Sequence, residues 1–100
     1  MAFWVYLLKC SDGTYYTGHT DDLEKRIGEH MSGQCGGYTA LRRPLKLAFT
    51  EYFPTRLEAI TMEKRIKGWS KAKKEALIAG DWERLSSLAR RKTKRDKTSN

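Results

Sequence analysis

The sequence predicts an α+β fold, a small three-stranded antiparallel sheet (β-β-α-β-α-α) flanked by helices. Three observations carry this. A strand-length apolar run opens the chain, and turn chemistry then leads into a second run of strand composition. One further alternating stretch stands between two helical segments. Three segments have cap residues ahead of apolar positions spaced by three and four.

Ala2 to Lys9 (AFWVYLLK) is a strand by length and by aromatic and branched content. Phe3, Val5 and Leu7 fall on one face, and Trp4, Tyr6 and Leu8 on the other. Apolar residues on both faces predict a central strand. Ser11-Asp12-Gly13 supplies a turn, and Thr14 to Thr17 resumes strand composition, making a hairpin. A two-residue Asp12-Gly13 turn puts Tyr6 and Tyr16 on opposite faces. A three-residue loop with a left-handed Gly13 pairs Cys10 with Thr14 and puts both tyrosines on one face. The residues permit either register.

Thr20 or Asp21 caps a helix running to about Met31, with Leu23, Ile27 and Met31 as its apolar stripe. Arg26 and His30 fall on that same stripe, at i+3 and i+7 from Leu23. Ser32 to Pro44 is a Gly-rich, basic loop. Leu45 to Phe53 is the third strand, read with Leu45, Leu47, Phe49, Glu51 and Phe53 on one face. A helix follows from Arg56 to about Gly68, capped by Thr55, with Ala59, Met62 and Ile66 inward and Glu63 at the stripe's edge. Ser70 starts another helix that ends at Gly80. Asp81 caps a short last one with Trp82, Leu85 and Leu88 as its apolar side.

Length and charge bound the function. One hundred residues make one domain, expected over 1–89. Twenty Lys and Arg against twelve Asp and Glu leave a net charge of +8. Such a balance points to an anionic partner, nucleic acid first. Residues 90–100 hold six basic residues against Asp96, a net of +5, and no apolar residue, so they read as a disordered basic tail. Two cysteines far apart exclude a disulfide scaffold and predict a reducing, cytoplasmic setting. No paired spacing such as C-x-x-C supports a zinc site, and no run is long enough for a membrane span.

Five polar side chains stand where apolar ones, or a helix's inward edge, are expected: Tyr6, Tyr16, Arg26, His30 and Glu63. Singly each has a structural explanation. Tyrosines pack in strands, Arg26 pairs with Glu24 or Glu29, His30 offsets a helix dipole, and Glu63 pairs with Lys67. Their expected convergence on one side of one sheet is what points to a site.

Trp4-Val5-Tyr6, nine intervening residues, and Tyr16-Thr17-Gly18 resemble the paired signature of GIY-YIG nucleases. Arg26 and His30 in the next helix and Glu63 in a later one continue the likeness, from about Phe3 to Trp82. It is nearest to the small stand-alone bacterial members. Trp4 stands where the family has Gly, Val5 and Thr17 where it has Ile, and His19 where repair-type members have Lys. The resemblance implies hydrolysis of DNA phosphodiester bonds with one Mg²⁺ or Mn²⁺, in repair or recombination. It implies Tyr6, Tyr16, Arg26, His30 and Glu63 as catalytic residues, with Glu63 holding the metal.

These residue types suit that chemistry. One carboxylate with waters and a phosphate oxygen is an adequate Mg²⁺ shell. Arg26 offers a planar, permanent charge to phosphate. Tyr6 or His30 is the candidate base, and Tyr16 positions water or phosphate. His19, Tyr38, Thr39, Arg42, Arg43, Lys67 and Lys74 are the expected nucleic-acid contacts. Branched, nicked or single-stranded DNA is the expected partner. The lack of a targeting domain favours a protein partner or low intrinsic activity. The rival reading is a nucleic-acid-binding module that kept the fold and lost useful catalysis.

Overall fold

The computed structural model describes residues 2–89. Their order is β1 (Phe3–Lys9), β2 (Tyr15–Thr20), α1 (Leu23–Ser32), α2 (Gly37–Ala40), β3 (Lys46–Phe53), α3 (Arg56–Lys67) and α4 (Lys71–Ala79). A further helical stretch covers 82–89. The chain divides into two compact units after Gly68. The basic run 90–100, expected to be a disordered tail, lies outside the described residues.

In the first unit the sheet order is β2-β1-β3, antiparallel throughout. The doubly apolar β1 is central, and Val5, Tyr6, Leu7 and Leu8 are all buried. The hairpin takes the three-residue loop. The Cys10 N–H donates to the Thr14 carbonyl at 2.8 Å, and Gly13 is left-handed at φ 85°. Tyr6 therefore faces Gly18, and Leu8 faces Tyr16. Both tyrosines share one face.

The third strand departs from the single-face expectation. Leu7 pairs with Phe49 but Leu8 pairs with Leu47, so Ala48 is an extra residue that makes a bulge. One inserted residue swaps faces. Phe49, Glu51 and Phe53 lie with Leu7, Val5 and Phe3, whereas Leu45 joins Tyr6, Leu8 and Cys10 on the opposite face.

Helix α1 packs Leu23 and Ile27 against that second cluster. Its cap is Asp22, whose carboxylate accepts from the Lys25 N–H at 3.2 Å. The cap sits beyond Thr20 because Thr20 still belongs to β2, where its hydroxyl accepts from the Asp22 N–H. Gly33 ends the helix at φ 84°. A side chain there would also strike the Arg43 guanidinium at 2.9 Å.

Helix α3 lies over the other face. The Arg56 guanidinium sits 4.8 Å above the Phe3 ring, and Glu63 reaches His19, which alternates with Gly18. Thr55 and Glu58 start α3 with a reciprocal cap: the Thr55 hydroxyl accepts from the Glu58 N–H and donates to its carboxylate. In the second unit, Ser70 caps α4 and Asp81 accepts from the Arg84 N–H. Among the described residues no helix is long and apolar enough to cross a membrane.

Gly18 is where sheet and site constrain each other. A Cβ there would lie 2.5 Å from the Tyr6 hydroxyl oxygen and 2.7 Å from its ring carbon. Buried Tyr6 has no room to retreat. Gly18→Ala is expected to cost about 1–3 kcal/mol, as overpacking does. The check is a lower urea midpoint at unchanged m.

Candidate active site

The floor of the candidate site is a buried chain of three side chains. The Tyr6 hydroxyl lies 2.9 Å from His30 Nε2, and His30 Nδ1 lies 2.9 Å from the Thr39 hydroxyl. All three residues are at most 2% exposed. Tyr6 comes from central β1, His30 from the last turn of α1, and Thr39 from the short α2. The Tyr16 ring stands 5.1 Å from the His30 ring and 6.4 Å from that of Tyr6.

Above this floor opens a cleft of about 510 Å³, lined in part by Tyr16, Arg26, His30, Cys35 and Tyr38. Arg26 is half-exposed, with its guanidinium 3.4 Å from Glu29. An exposed pair of this kind holds weakly, so an arriving phosphate can compete for the fork.

Burial pushes the Tyr6 phenol well above its ordinary 10, with neighbouring Tyr16 adding to the rise and Arg26 opposing it. Burial, then the Arg26 charge, hold the His30 imidazole below its ordinary 6.5. At neutral pH the pair is thus a protonated phenol beside a neutral imidazole. Tyr6 is no ready base here, because the Arg26 charge does not overcome the cost of burying a phenolate.

Glu63 stands apart from the expected single-sided cluster. It comes from α3 on the opposite face and meets edge strand β2 at His19, whose Nδ1 is hydrogen-bonded to one carboxylate oxygen. The Lys67 ammonium holds the other oxygen at 2.7 Å. The constellation therefore straddles the sheet edge rather than sitting on one face. Bare Gly18 lets the Tyr6 hydroxyl approach that same strand from the other side. Burial alone would push the Glu63 carboxyl up, but the hydrogen bonds from Lys67 and His19 outweigh it and hold it below its ordinary 4.5.

Both depressed groups make stability fall with acid. Each binds its proton more readily when unfolded, so its contribution is present above the unfolded value and lost below it. The urea midpoint is expected to decline first as pH drops below 6.5, through His30, and again below 4.5, through Glu63. A titration of midpoint against pH checks this, and His30→Gln should remove the first decline.

Several expected nucleic-acid contacts have other partners. Thr39 is buried, hydrogen-bonded to His30, and forms part of the cleft lining. Arg42 is tied to Asp12 at 3.0 Å and to the Tyr38 carbonyl, and it stacks 3.6 Å from the Tyr38 ring. Arg43 donates to the Ala40 carbonyl, and His19 is engaged by Glu63. Tyr38 is 40% exposed and lines the cleft, with its hydroxyl on Thr14. Lys67 is the half-exposed partner of Glu63. Lys74 belongs to the second unit, on α4.

Among the described residues no group of three or more His, Cys, Asp or Glu side chains gathers to hold a metal. A hard divalent ion that keeps most of its water needs only one or two carboxylates. Glu63, a largely enclosed and ionised carboxylate at the site's edge, fits that requirement once Lys67 or His19 yields an oxygen.

The model of the GIY-YIG catalytic domain matches residues 2–76. A UPF0213 protein of Halobacterium salinarum is 51% identical over 74 residues, covering 74% of this chain and 96% of the relative. One from Staphylococcus saprophyticus is 46% identical over 76 residues, covering 76% and 93%. The solution structure of a UPF0213 protein from Bacillus halodurans, 41% identical, aligns with a TM-score of 0.53 over 88% of this chain and 97% of that one. An Enterococcus protein (E. faecalis), 35% identical, aligns at 0.57 over 80% and 85%. These matches run nearly the full length of relatives that are themselves small modules. With its tyrosine hairpin, its Arg26–His30 helix and its Glu63 helix in that order, the chain belongs to the GIY-YIG family of nuclease domains.

Proposed function

We propose that this protein is a metal-dependent endonuclease that hydrolyses DNA phosphodiester bonds. The observation that carries the reading is the buried Tyr6–His30 pair beneath a cleft lined by Tyr16 and Arg26. An ionised Glu63 stands at the adjoining strand edge. Arg26 binds the scissile phosphate and offsets charge that grows in the transition state. Tyr16 orients the attacking water or a phosphate oxygen. Glu63 holds Mg²⁺ or Mn²⁺, which supplies charge stabilisation at the phosphate when bound. Tyr38 offers an exposed ring on which a base can stack. Branched, nicked or single-stranded DNA met in repair or recombination is the proposed substrate, and the basic residues 90–100 are a proposed phosphate-tracking arm.

One observation favours the rival, a module that binds nucleic acid without useful catalysis: both Glu63 oxygens are engaged by His19 and Lys67. The full-length protein incubated with branched, nicked and single-stranded DNA, in Mg²⁺, Mn²⁺ or EDTA, separates them. Cleavage that EDTA stops while DNA binding persists is the expected result. Binding without cleavage on every substrate and metal selects the module.

A further inference from the structure

Both oxygens of the Glu63 carboxylate are held, and the two groups that hold them differ in how readily they let go. His19 Nδ1 is hydrogen-bonded to Oε1, and the Lys67 ammonium lies 2.7 Å from Oε2. A cation bound directly to Glu63 meets whichever group already holds the oxygen it takes.

Three observations single out Lys67. Its side chain is 53% exposed against 27% for His19, so a released ammonium passes into water, while a released ring N–H stays half-enclosed. Lys67 ends α3 on a flexible four-carbon stem, whereas the His19 ring stands on β2, paired to Val5 of the central strand. The ammonium is also a compact positive charge, and two cations on one carboxylate oxygen repel. On the other side, an ionised carboxylate only accepts, so the hydrogen of that link belongs to His19 Nδ1. Such a link survives a cation on the opposite oxygen. The place that Lys67 occupies also neighbours the cleft, because its ammonium is within electrostatic reach of Tyr16, which lines it.

We propose that the Lys67 ammonium holds the place of the divalent cation and yields Glu63 Oε2 to it, while His19 is a positioning residue that keeps Oε1. This rests on the metal-dependent reading of Glu63 and adds which oxygen is given up and which partner stays. Lys67 weakens cation binding by competing for the carboxylate. His19 strengthens it by fixing the carboxylate's aim, as outer-shell partners of a ligand do.

The test titrates Mn²⁺ into the full-length protein without DNA and reads its affinity by water-proton relaxation. Lys67→Ala should bind Mn²⁺ about fivefold more tightly than wild type, because one exposed ion pair no longer competes. Lys64→Ala removes the same charge from α3 but no partner of Glu63, and should change the affinity far less. His19→Leu should bind about tenfold more weakly. His19→Asn, whose amide can donate in place of Nδ1, should recover most of that loss. In a ¹H–¹⁵N correlation of the ring nitrogens at neutral pH, assigned through His19→Asn, His19 should keep its Nδ1 proton from zero to saturating Mg²⁺. Weaker or unchanged binding in Lys67→Ala overturns the proposal, as does an equal gain in Lys64→Ala. Tighter or unchanged binding in His19→Leu, or a lost Nδ1 proton on adding Mg²⁺, overturns it too. Should His19→Leu not fold, the lysine variants and the wild-type spectra still decide. A wild-type chain that binds no Mn²⁺ overturns both this proposal and the metal role of Glu63. The expected order of affinities in a protein that cleaves no DNA would uphold this inference and remove the nuclease reading.

Discussion

Glu63→Gln is expected to abolish metal-dependent cleavage, by on the order of 10³-fold or more, while the protein stays folded and still binds DNA. The substitution keeps side-chain size and leaves an amide oxygen that can accept from His19 or Lys67. What disappears is the negative charge that a divalent ion requires. The partner Lys67 is half-exposed, so losing the ion pair should cost no more than about 1 kcal/mol of stability. Lys67→Ala is the control: it breaks the same pair but keeps the carboxylate, and its cleavage should survive. Single-turnover cleavage and urea midpoints of the two variants check the comparison. If both lost cleavage equally, the ion pair and not the carboxylate would be what matters.

The sequence made the fold legible wherever local chemistry decides structure. Thr55, Ser70 with Gly80, and Asp81 are cap signals written in the local sequence. The doubly apolar β1 was equally readable as the central strand. The hairpin register was narrowed to two choices, and Gly13 at φ 85° resolves it. The bulge at Ala48 was not readable, because the alternation from Leu45 through Phe49 shows no interruption at that point and only pairing with β1 reveals the slip. The partners of Thr39 and Arg42 were hidden for a related reason. In a Gly-rich loop without periodicity, composition says what a side chain can bind but not which way the loop turns it. Their partners, His30 and Asp12, lie 9 and 30 residues away. The same holds for His19 and Glu63, separated by 44 residues and joined only when α3 crosses to the edge of β2.

Arg26→Ala is expected to lower cleavage by about 10²–10³-fold, the loss of roughly 3–4 kcal/mol of transition-state stabilisation from one charged donor. Its stability cost should be small, since the guanidinium is half-exposed and its partner is Glu29 on the same helix. That contrast is what makes the variant informative, because a large kinetic loss at constant fold cannot come from a disturbed core. A second effect follows from electrostatics. The Arg26 charge helps hold His30 below its ordinary 6.5 and pulls the Tyr6 phenol down against burial. Its removal should let His30 take up a proton at a higher pH and push the phenol further up. Arg26→Lys keeps the charge but loses the planar fork, so it should preserve the His30 titration while recovering only part of the rate. Ring-proton titration of His30 by NMR, alongside cleavage rates, reads the two effects separately. If Arg26→Ala left both the rate and the titration untouched, Arg26 would be a surface residue, and the cleft would need another group to meet the phosphate.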